Sequence, residues 1–414
     1  MSASATAPLG IYLSIPFCRA KCTYCNFASD VFPAARLDGY VHTVCREIRD
    51  RRAHCFAERI QLPREADSIY FGGGTPSTLA PHQLSQIFDA LRESFDVFPD
   101  AEITVECAPG QISDAFLAEC CAQGVNRVSL GVQSFVDAEA AAVGRRHGRA
   151  TVLADLARLR DAGIRNINVD LIAGLPRQTR ESWRESLQVA LDTGVPHVSV
   201  YMLDVDEDSR LGRELLTGGG KYGAHQTPDD AATAAMYEEA CAMLGEGGLP
   251  QYEISNFARP GQQSRHNLKY WDGVPYVGFG LDAHSCLPGN ESDDFRIANP
   301  HAMDKYMADP MSSAVERISR AGQIEERWFL GLRRTRGVSL PELQAEFGAE
   351  AITPFAGVVQ AAVREGLLEH EGARVRLTPR GKLFANDVFA RFLGVLPPVS
   401  EALSINLEHE MTIA

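Results

Sequence analysis

Short β-rich runs alternate with helical patterns through the first two thirds of the chain. Two of the helical patterns end in glycine directly before a strand, at QGVNRV and AGIRNI, where glycine is the expected C-cap. This alternation predicts βαβ units and a parallel sheet, and six or more units predict a full or partial TIM-type barrel. The predicted strands are residues 10–15, 67–71, 101–106, 125–132, 164–172, 197–203 and 252–257.

The organisation changes after the sixth unit. A glycine-rich stretch at 212–223 is interpreted as a flexible connector or lid, and from residue 321 three helices, a short hairpin and a closing helix are typical of a winged-helix layout. The predicted fold class is α/β, a partial TIM-type (β/α)6-like barrel with a small C-terminal winged-helix-like α+β domain. The predicted divisions are a flexible N-terminus (1–10), the barrel core (11–210), a barrel extension (211–320), the C-terminal domain (321–397) and an acidic tail (398–414).

Charge and hydropathy exclude several kinds of partner. The 414 residues carry a formal net charge of −14, which opposes non-specific contact with nucleic acid or an anionic bilayer. Residues 321–395 contain 10 Lys and Arg against 9 Asp and Glu, so the winged-helix-like region does not look like a DNA-binding surface. The N-terminus lacks a signal-peptide pattern, and no apolar run approaches the roughly 20 residues of a membrane span. We therefore expect a soluble, cytoplasmic protein.

Three of the ten cysteines, Cys18, Cys22 and Cys25, lie within eight positions. Zinc sites usually combine two cysteine pairs, whereas here one loop supplies Cys-x3-Cys-x2-Cys and no second pair follows. Three thiolates from one loop can bind three irons of a [4Fe–4S] cluster and leave the fourth iron open to another ligand. The alternative is three unrelated cysteines. Most of the remaining cysteines are expected to be small buried apolar side chains.

The cysteine motif after a first strand resembles the signature of the radical S-adenosylmethionine (SAM) superfamily. The resemblance implies that the open iron chelates the amino and carboxylate groups of SAM, and that the reduced cluster cleaves SAM to a 5′-deoxyadenosyl radical. The stretch FGGGTPS at 71–77 follows the second predicted strand, where consecutive glycines let backbone N–H groups approach a ligand closely. It resembles the superfamily's motif for the SAM amino group, with Gly73, Gly74 and Thr75 at the matching positions.

Polar residues follow the ends of later predicted strands, from which side chains reach the active site of a barrel. Each one alone would be an ordinary loop cap. Together these residues resemble the SAM-binding set of the coproporphyrinogen-oxidase-like branch of the superfamily. In that set, the Glu106 carboxylate would accept hydrogen bonds from the ribose hydroxyls. The resemblance assigns SAM binding to Tyr12, Tyr24, Glu106, Gln133, Arg145 and Asp170.

The residue two positions after Cys25 separates two members of that branch. Oxygen-independent coproporphyrinogen III oxidases have a fourth cysteine there and a longer N-terminal extension, whereas this chain has Phe27. HemW-type heme chaperones have phenylalanine there, a short N-terminus and a His-Asn-x-x-Tyr-Trp motif. The chain reads HNLKYW and resembles that family over essentially its whole length. The resemblance implies a heme site at His266, Asn267, Tyr270 and Trp271.

The residue types in segment 264–285 are compatible with heme binding. Histidine is a common axial ligand of heme iron, aromatic rings offer flat apolar area, and basic side chains pair with propionates. The alternative is that His266 caps a loop and that the aromatic residues belong to the core. The further candidates are Tyr276 and Phe279 for ring contact, and Arg265 and Lys269 for the propionates.

His284, in the stretch DAHS, is the second candidate for the heme ligand. Asp282 stands two positions earlier, where the family usually has glycine. Because aspartate tolerates positive φ less well than glycine, this departure leaves the local backbone geometry open.

The resemblance as a whole implies a heme chaperone that holds a [4Fe–4S] cluster, SAM and heme and delivers heme to acceptor hemoproteins such as respiratory enzymes. A homodimer and transient membrane-associated partners belong to the same expectation, and SAM cleavage would be a side activity or absent. One alternative is a radical SAM enzyme acting on a porphyrin or porphyrinogen, such as a coproporphyrinogen oxidase, a methyltransferase or a heme-opening enzyme. Another is a winged-helix regulator with an iron–sulfur sensor, against which the near-neutral C-terminal region argues.

Overall fold

The structure is a computed structural model that describes residues 7–290 and 292–396, so the predicted acidic tail lies outside the described residues. The strands are β1 (Leu9–Ile15), β2 (Glu65–Gly73), β3 (Asp96–Cys107), β4 (Arg127–Gln133), β5 (Asn166–Ala173), β6 (His197–Met202), β7 (Asn256–Ala258), β8 (Tyr276–Phe279), β9 (His284–Pro288), β10 (Asp294–Ala298), β11 (Ala314–Ile318), β12 (Val338–Ser339), β13 (Leu368–Glu371) and β14 (Arg374–Leu377).

The helices connect these strands and form most of the C-terminal region. They are α1 (Leu37–Ala57), α2 (Pro81–Ser94), α3 (Asp114–Ala122), α4 (Asp137–Ala142), α5 (Arg149–Asp161), α6 (Arg180–Asp192), α7 (Arg210–Leu216), α8 (Asp230–Glu246), α9 (Arg265–Trp271), α10 (Met303–Ala308), α11 (Arg320–Arg333), α12 (Leu340–Phe347), α13 (Ala349–Ile352), α14 (Ala356–Arg364), α15 (Pro379–Leu383) and α16 (Ala385–Ala390). None of the helices within the described ranges combines the length and the apolar character needed to cross a bilayer.

Eleven strands form one sheet in the order β11-β10-β9-β8-β1-β2-β3-β4-β5-β6-β7. Strands β1 to β6 are parallel, lie in chain order and are separated by at least one helix each. Their apolar side chains pack against the helices in one large core, which contains Leu13, Val105 and Val169. In a parallel sheet, both faces of the strands are expected to be covered by other parts of the protein. The arrangement confirms the predicted α/β partial barrel.

The two edges of this sheet differ from the prediction. The run at 252–257 forms only the three-residue strand β7, which is antiparallel to β6, because a local turn interrupts it. In that turn the N–H of Ser255 donates to the Glu253 carboxylate over 2.9 Å. At the other edge, β8 pairs in parallel with β1, and β9, β10 and β11 continue the sheet antiparallel. The glycine-rich stretch at 212–223 includes most of α7 and part of a short 3-10 helix, so it is not one uninterrupted loop.

The C-terminal region has its own sheet and its own core. Strands β12, β14 and β13 pair antiparallel in that order, and helices α11 to α16 surround them. The core centres on stacked aromatic rings, with Trp328 5.6 Å from Phe355 and 5.0 Å from Phe392 between ring centroids. This confirms the predicted small α+β domain.

Candidate functional site

One cavity of about 3130 Å³ opens at the carboxyl ends of the parallel strands and continues to the C-terminal domain. This is the edge at which barrel folds carry their functional side chains. All sixteen predicted site residues line the cavity: Cys18, Cys22, Cys25, Tyr12, Tyr24, Gly73, Gly74, Thr75, Glu106, Gln133, Arg145, Asp170, His266, Asn267, Tyr270 and Trp271.

The three motif cysteines are free, half-buried thiols on the loop that follows β1. In the part of the chain that the structure describes, no three His, Cys, Asp or Glu side chains converge on a point that could hold a single metal ion. A [4Fe–4S] cluster makes a different demand, because each thiolate binds its own iron and the thiols surround a volume. Three thiols facing one cavity fit a cluster that is open to a further ligand.

Neighbouring hydroxyl groups contact two of these thiols. The Thr75 hydroxyl donates to Cys18 Sγ over 3.6 Å, and Ser29 Oγ lies 3.9 Å from Cys25 Sγ. Burial raises the pKa of both thiols. Thiols that bind a metal do so as thiolates, so binding of a cluster here would be coupled to release of their protons.

The glycine motif at the end of β2 supports the cysteine loop directly. Gly74 N–H donates to the Ile15 carbonyl and Thr75 N–H to the Phe17 carbonyl, each over 2.9 Å. These two N–H groups therefore donate to backbone carbonyls of the protein, whereas the sequence predicted that backbone N–H groups of this motif contact a ligand. A Cβ at position 74 would lie 2.8 Å from the Ile15 carbonyl oxygen, so only glycine allows this close packing.

Two half-buried carboxylates face the middle of the cavity. Glu106 accepts a hydrogen bond from the Tyr70 hydroxyl over 2.8 Å, and burial together with the nearby Asp170 charge raises the pKa of Glu106 to about 7. Asp170 accepts from Asn168 over 2.7 Å and from Ser129 over 3.1 Å, while burial raises its pKa. A ligand that donates hydrogen bonds or carries positive charge would relieve the cost of burying both groups.

Gln133 and Arg145 approach the same region from the end of β4. The pairing of β4 with β5 shifts register between Gly131 and Gln133, and Gln133 adopts a φ of 69°, an uncommon conformation for a residue other than glycine. A Cβ on Gly131 would lie 2.6 Å from an Arg145 guanidinium nitrogen, so this glycine makes room for the arginine. Arg145 Nε is buried and has no hydrogen-bond partner among the described residues, which fits an anionic ligand group.

Aromatic side chains form one side of the cavity, which we call the aromatic wall: Tyr12, Tyr70, Tyr270 and Tyr276. Tyr12 and Tyr70 are stacked with their centroids 6.2 Å apart, and Tyr270 meets Tyr276 edge-on at 4.6 Å. The His266 ring lies between the two pairs, 5.3 Å from Tyr70 and 5.2 Å from Tyr270. The wall offers flat apolar area with polar edges.

His266 anchors helix α9 to the barrel. Its Nδ1 is 3.0 Å from the Ser68 hydroxyl and its Nε2 is 2.8 Å from the Tyr270 hydroxyl, so both ring nitrogens have partners. Its backbone N–H donates to Glu102 over 3.1 Å. Burial, and secondarily Lys269, lowers the pKa of His266 to about 3. Iron ligation by this ring would require one of its two hydrogen bonds to break.

Three of the additional heme candidates lie elsewhere. Lys269 is buried against Asp67, 2.6 Å away, and against the Pro8 carbonyl, so it is not available for a propionate. Arg265 donates to the Asp100 carbonyl on the outer surface. Neither they nor Phe279, which packs in the core, line the cavity. Arg265 and Lys269 are four residues apart on α9 and share a helix face that does not line the cavity, whereas Phe279 belongs to β8.

His284 lines the cavity at the start of β9, and its ring makes no hydrogen bond within the described ranges. The preceding turn keeps the backbone that the family's glycine would allow, since Asp282 adopts a φ of 57°. Aspartate is among the residues that enter this left-handed region more often than most. The substitution therefore leaves the turn intact.

The sequence analysis missed two residues of this site. Tyr70 forms part of the wall and donates to Glu106, and alternation along β2 could have indicated it because Ser68, Tyr70 and Gly72 share a face. Asp206, in the segment after β6, accepts from the Asn26 side chain over 2.6 Å and so contacts the cysteine loop from 180 residues away. No sequence pattern indicates that contact.

Comparisons with known proteins agree with this geometry. The model of the Radical SAM superfamily matches residues 12–190, and that of the HemN C-terminal domain matches residues 318–384. The crystal structure of coproporphyrinogen III oxidase (HemN) from Escherichia coli aligns with a TM-score of 0.78, 24% identity and coverage of 94% of this chain and 91% of that chain, which supports the shared fold.

Curated relatives are more similar in sequence. The heme chaperone HemW of Bacillus subtilis is 34% identical over 392 residues, covering 93% of this chain and 99% of that protein. The HemW of Lactococcus lactis is 33% identical over 389 residues, covering 93% and 97%. With this identity over nearly their whole length, the chain belongs to the HemW heme chaperone family of the radical SAM superfamily.

Proposed function

We propose that this protein binds a [4Fe–4S] cluster, SAM and heme in the large cavity at the carboxyl ends of its parallel strands and delivers the heme to acceptor hemoproteins such as respiratory enzymes. Cys18, Cys22 and Cys25 would bind three irons of the cluster. In the superfamily the reduced cluster supplies an electron to SAM. The relatives at 33% and 34% identity are heme chaperones, which supports a carrier role over turnover of a porphyrinogen.

The observation that carries this proposal is the continuity of the cavity. A typical ligand pocket measures about 300–1,000 Å³, and this one measures about 3130 Å³. It runs from the motif thiols past the aromatic wall to the C-terminal domain, so a second, flat ligand fits beside a cluster and SAM. Tyr12 is shared with the proposed SAM site, but a site for SAM alone would not require Tyr270 and Tyr276.

The residues around the proposed SAM position divide by charge. Arg145, a half-buried cation with a buried, unpartnered Nε, suits the SAM carboxylate, and the Gln133 amide lies beside it. Glu106 and Asp170 are acceptors, suited to ribose hydroxyls and to the positively charged amino and sulfonium groups. The backbone near Tyr24 would meet the adenine. Each role follows from donor and acceptor chemistry together with the superfamily resemblance.

The aromatic wall would pack against one face of the porphyrin, and a histidine would ligate the iron. We assign iron ligation to His284, because its ring is unengaged within the described residues. In His266, Nδ1 ties α9 to Ser68 on β2 and Nε2 bonds Tyr270 within the same helix. His266, Asn267, Tyr270 and Trp271 then contribute to heme binding by shaping the wall. This differs from the motif-based expectation, which placed His266 first.

The decisive experiment combines two assays on the same protein with a reconstituted cluster. Heme titration should give saturable binding, and incubation of the reduced protein with SAM and coproporphyrinogen III should yield no protoporphyrinogen. Decarboxylation of coproporphyrinogen would favour the oxidase instead. In the same titration, His284→Ala should change the absorption bands of bound heme, whereas His266→Ala should weaken binding without removing an iron ligand. Unchanged bands in His284→Ala would return the axial position to His266.

A further inference from the structure

Side chains that line the cavity include four with a buried polar atom lacking a hydrogen-bond partner among the described residues: Thr104, Arg145, Trp271 and Arg333. Buried polar groups in native proteins are nearly always satisfied, so unpartnered atoms facing a cavity indicate where ligand atoms belong. Thr104 lies two residues before Glu106 on β3, and it belongs with Arg145 to the proposed SAM region. Trp271 and Arg333 lie elsewhere, and no ligand atom has been assigned so far to the indole N–H of Trp271 or to the Nε–H of Arg333.

Trp271 and Arg333 form a stacked pair between α9 and the end of α11. The Arg333 guanidinium lies over the indole ring, 4.1 Å from its centroid. Trp271 is 7% exposed and the Arg333 side chain 16% exposed. The unpartnered atoms are Trp271 Nε1 and Arg333 Nε, which are both N–H donors. Two buried donors without an acceptor, one of them on a cation, match the chemistry of a carboxylate.

We propose that the indole N–H of Trp271 and the Nε–H of Arg333 bind a carboxylate of the porphyrin, so that a heme propionate points away from the cluster and toward the C-terminal domain. The inference rests on the proposed heme function and adds to it the orientation of the ligand. It also replaces Arg265 and Lys269, which do not line the cavity.

One carboxylate of the protein already faces this arginine. Glu253 Oε2 lies 3.7 Å from Arg333 Nη2, this oxygen also has no hydrogen-bond partner among the described residues, and burial raises the pKa of Glu253. Nη2 and Nε are different donors of one planar group, so a propionate can use Nε while Glu253 keeps its contact. Glu253 reduces the net positive charge at the site, and the proposed affinity therefore comes mainly from the two directed hydrogen bonds.

An unpartnered buried donor alone does not mark a binding site, and the chain supplies its own control. Trp328 Nε1 and Arg51 Nε are also buried without a partner among the described residues, yet neither residue lines the cavity. Trp271 and Arg333 differ because they face the cavity together. Trp328→Phe therefore removes an unpartnered indole N–H at a place where no ligand is proposed.

The test compares heme with heme dimethyl ester, in which both propionates are esterified, on the cluster-loaded full-length protein. Hydrogen bonds to charged groups contribute about 1.5–3 kcal/mol, so the wild type should bind heme at least about tenfold more tightly than the ester. Trp271→Phe keeps an aromatic ring and Arg333→Lys keeps the charge opposite Glu253. Each should reduce the ester-to-heme ratio of dissociation constants by about threefold or more, and Trp328→Phe should leave it unchanged.

The possible results distinguish the proposed heme function from the proposed carboxylate site. A wild type that binds both ligands equally keeps the heme function and overturns the carboxylate site. Variants that weaken heme and ester by the same factor show only a loss of packing area and also overturn it. Absence of binding of either ligand overturns the heme function and the site together.

Discussion

At the scale of single residues, Gly74 gives the sharpest prediction. A Cβ at this position would lie 2.8 Å from the Ile15 carbonyl oxygen and 2.9 Å from the Pro16 carbonyl carbon, which are backbone atoms that cannot rotate away. Gly74→Ala should therefore displace the cysteine loop, lower the free energy of unfolding by about 1–3 kcal/mol and reduce iron and sulfide content after reconstitution. Chemical denaturation and iron analysis measure the two effects.

Two further variants set the upper and lower limits against which the iron content of Gly74→Ala is compared. Gly357 lies in α14 with no atom within 4 Å of an added Cβ, so Gly357→Ala should keep full iron content and unchanged or slightly higher stability. Cys22→Ala, which removes a proposed iron ligand, sets the low end of iron content. Full iron content in Gly74→Ala would contradict the close-packing account. The motif predicted that Gly74 matters, but not why. The backbone against which Gly74 packs belongs to the cysteine loop and comes close only in the folded protein, so motif spacing could not predict this contact.

At the scale of an element, the segment 203–211 acts as a strap across the cysteine loop. Asp206 accepts from Asn26 over 2.6 Å, and Leu211 N–H donates to the Thr23 carbonyl over 2.7 Å. Asp206→Ala removes the side-chain contact, which is worth about 1–2 kcal/mol. We expect the reconstituted cluster to be lost several-fold faster in air, as measured by the decay of its visible absorbance.

Asp208 provides the matched control for the strap. It carries the same charge in the same segment, and its exposed side chain makes no hydrogen bond to the cysteine loop among the described residues. Asp208→Ala should therefore leave the decay rate at the wild-type value. Equal acceleration in both variants would show that charge near the cluster, and not the tether, controls its loss. No sequence pattern predicts this strap, because the Asp206–Asn26 contact joins residues 180 positions apart.

At the scale of the whole molecule, the alternation of strands and helices was enough to predict the barrel, because hydrophobic burial imposes a periodicity on each strand. The same reasoning failed for β7, where the side chain of Glu253 terminates the pairing. Nor does local pattern reveal the surroundings of His266, since the motif marks a histidine but not its partners. Ser68 and Tyr270 occupy its ring nitrogens, and Ser68 is 198 residues away. Element type follows from local pattern, whereas the use of a polar side chain depends on distant neighbours.

The joint between the barrel and the C-terminal domain gives the last prediction. Asp272, directly after α9, pairs with Arg334 and with Arg336 at 2.8 Å, while its carbonyl accepts from Arg327. Asp272→Ala removes the carboxylate and keeps the carbonyl, at a cost of about 1–2 kcal/mol for these half-buried pairs. We expect faster amide hydrogen exchange in α11 and weaker heme binding, because the domain closes one side of the cavity.

A control variant tests whether the loss of a carboxylate elsewhere in the protein has the same effects as the loss of Asp272. Asp161 is exposed at the end of α5 and makes no ion pair among the described residues, so Asp161→Ala should alter neither exchange in α11 nor heme affinity. Faster exchange in Asp272→Ala with unchanged heme affinity would separate the domain contact from ligand binding and contradict the orientation proposed for the propionate. Weaker binding accompanied by faster exchange, confined to the Asp272 variant, is the result that the shared cavity requires, since α9 touches the barrel through His266 and the C-terminal domain through Trp271 and Asp272.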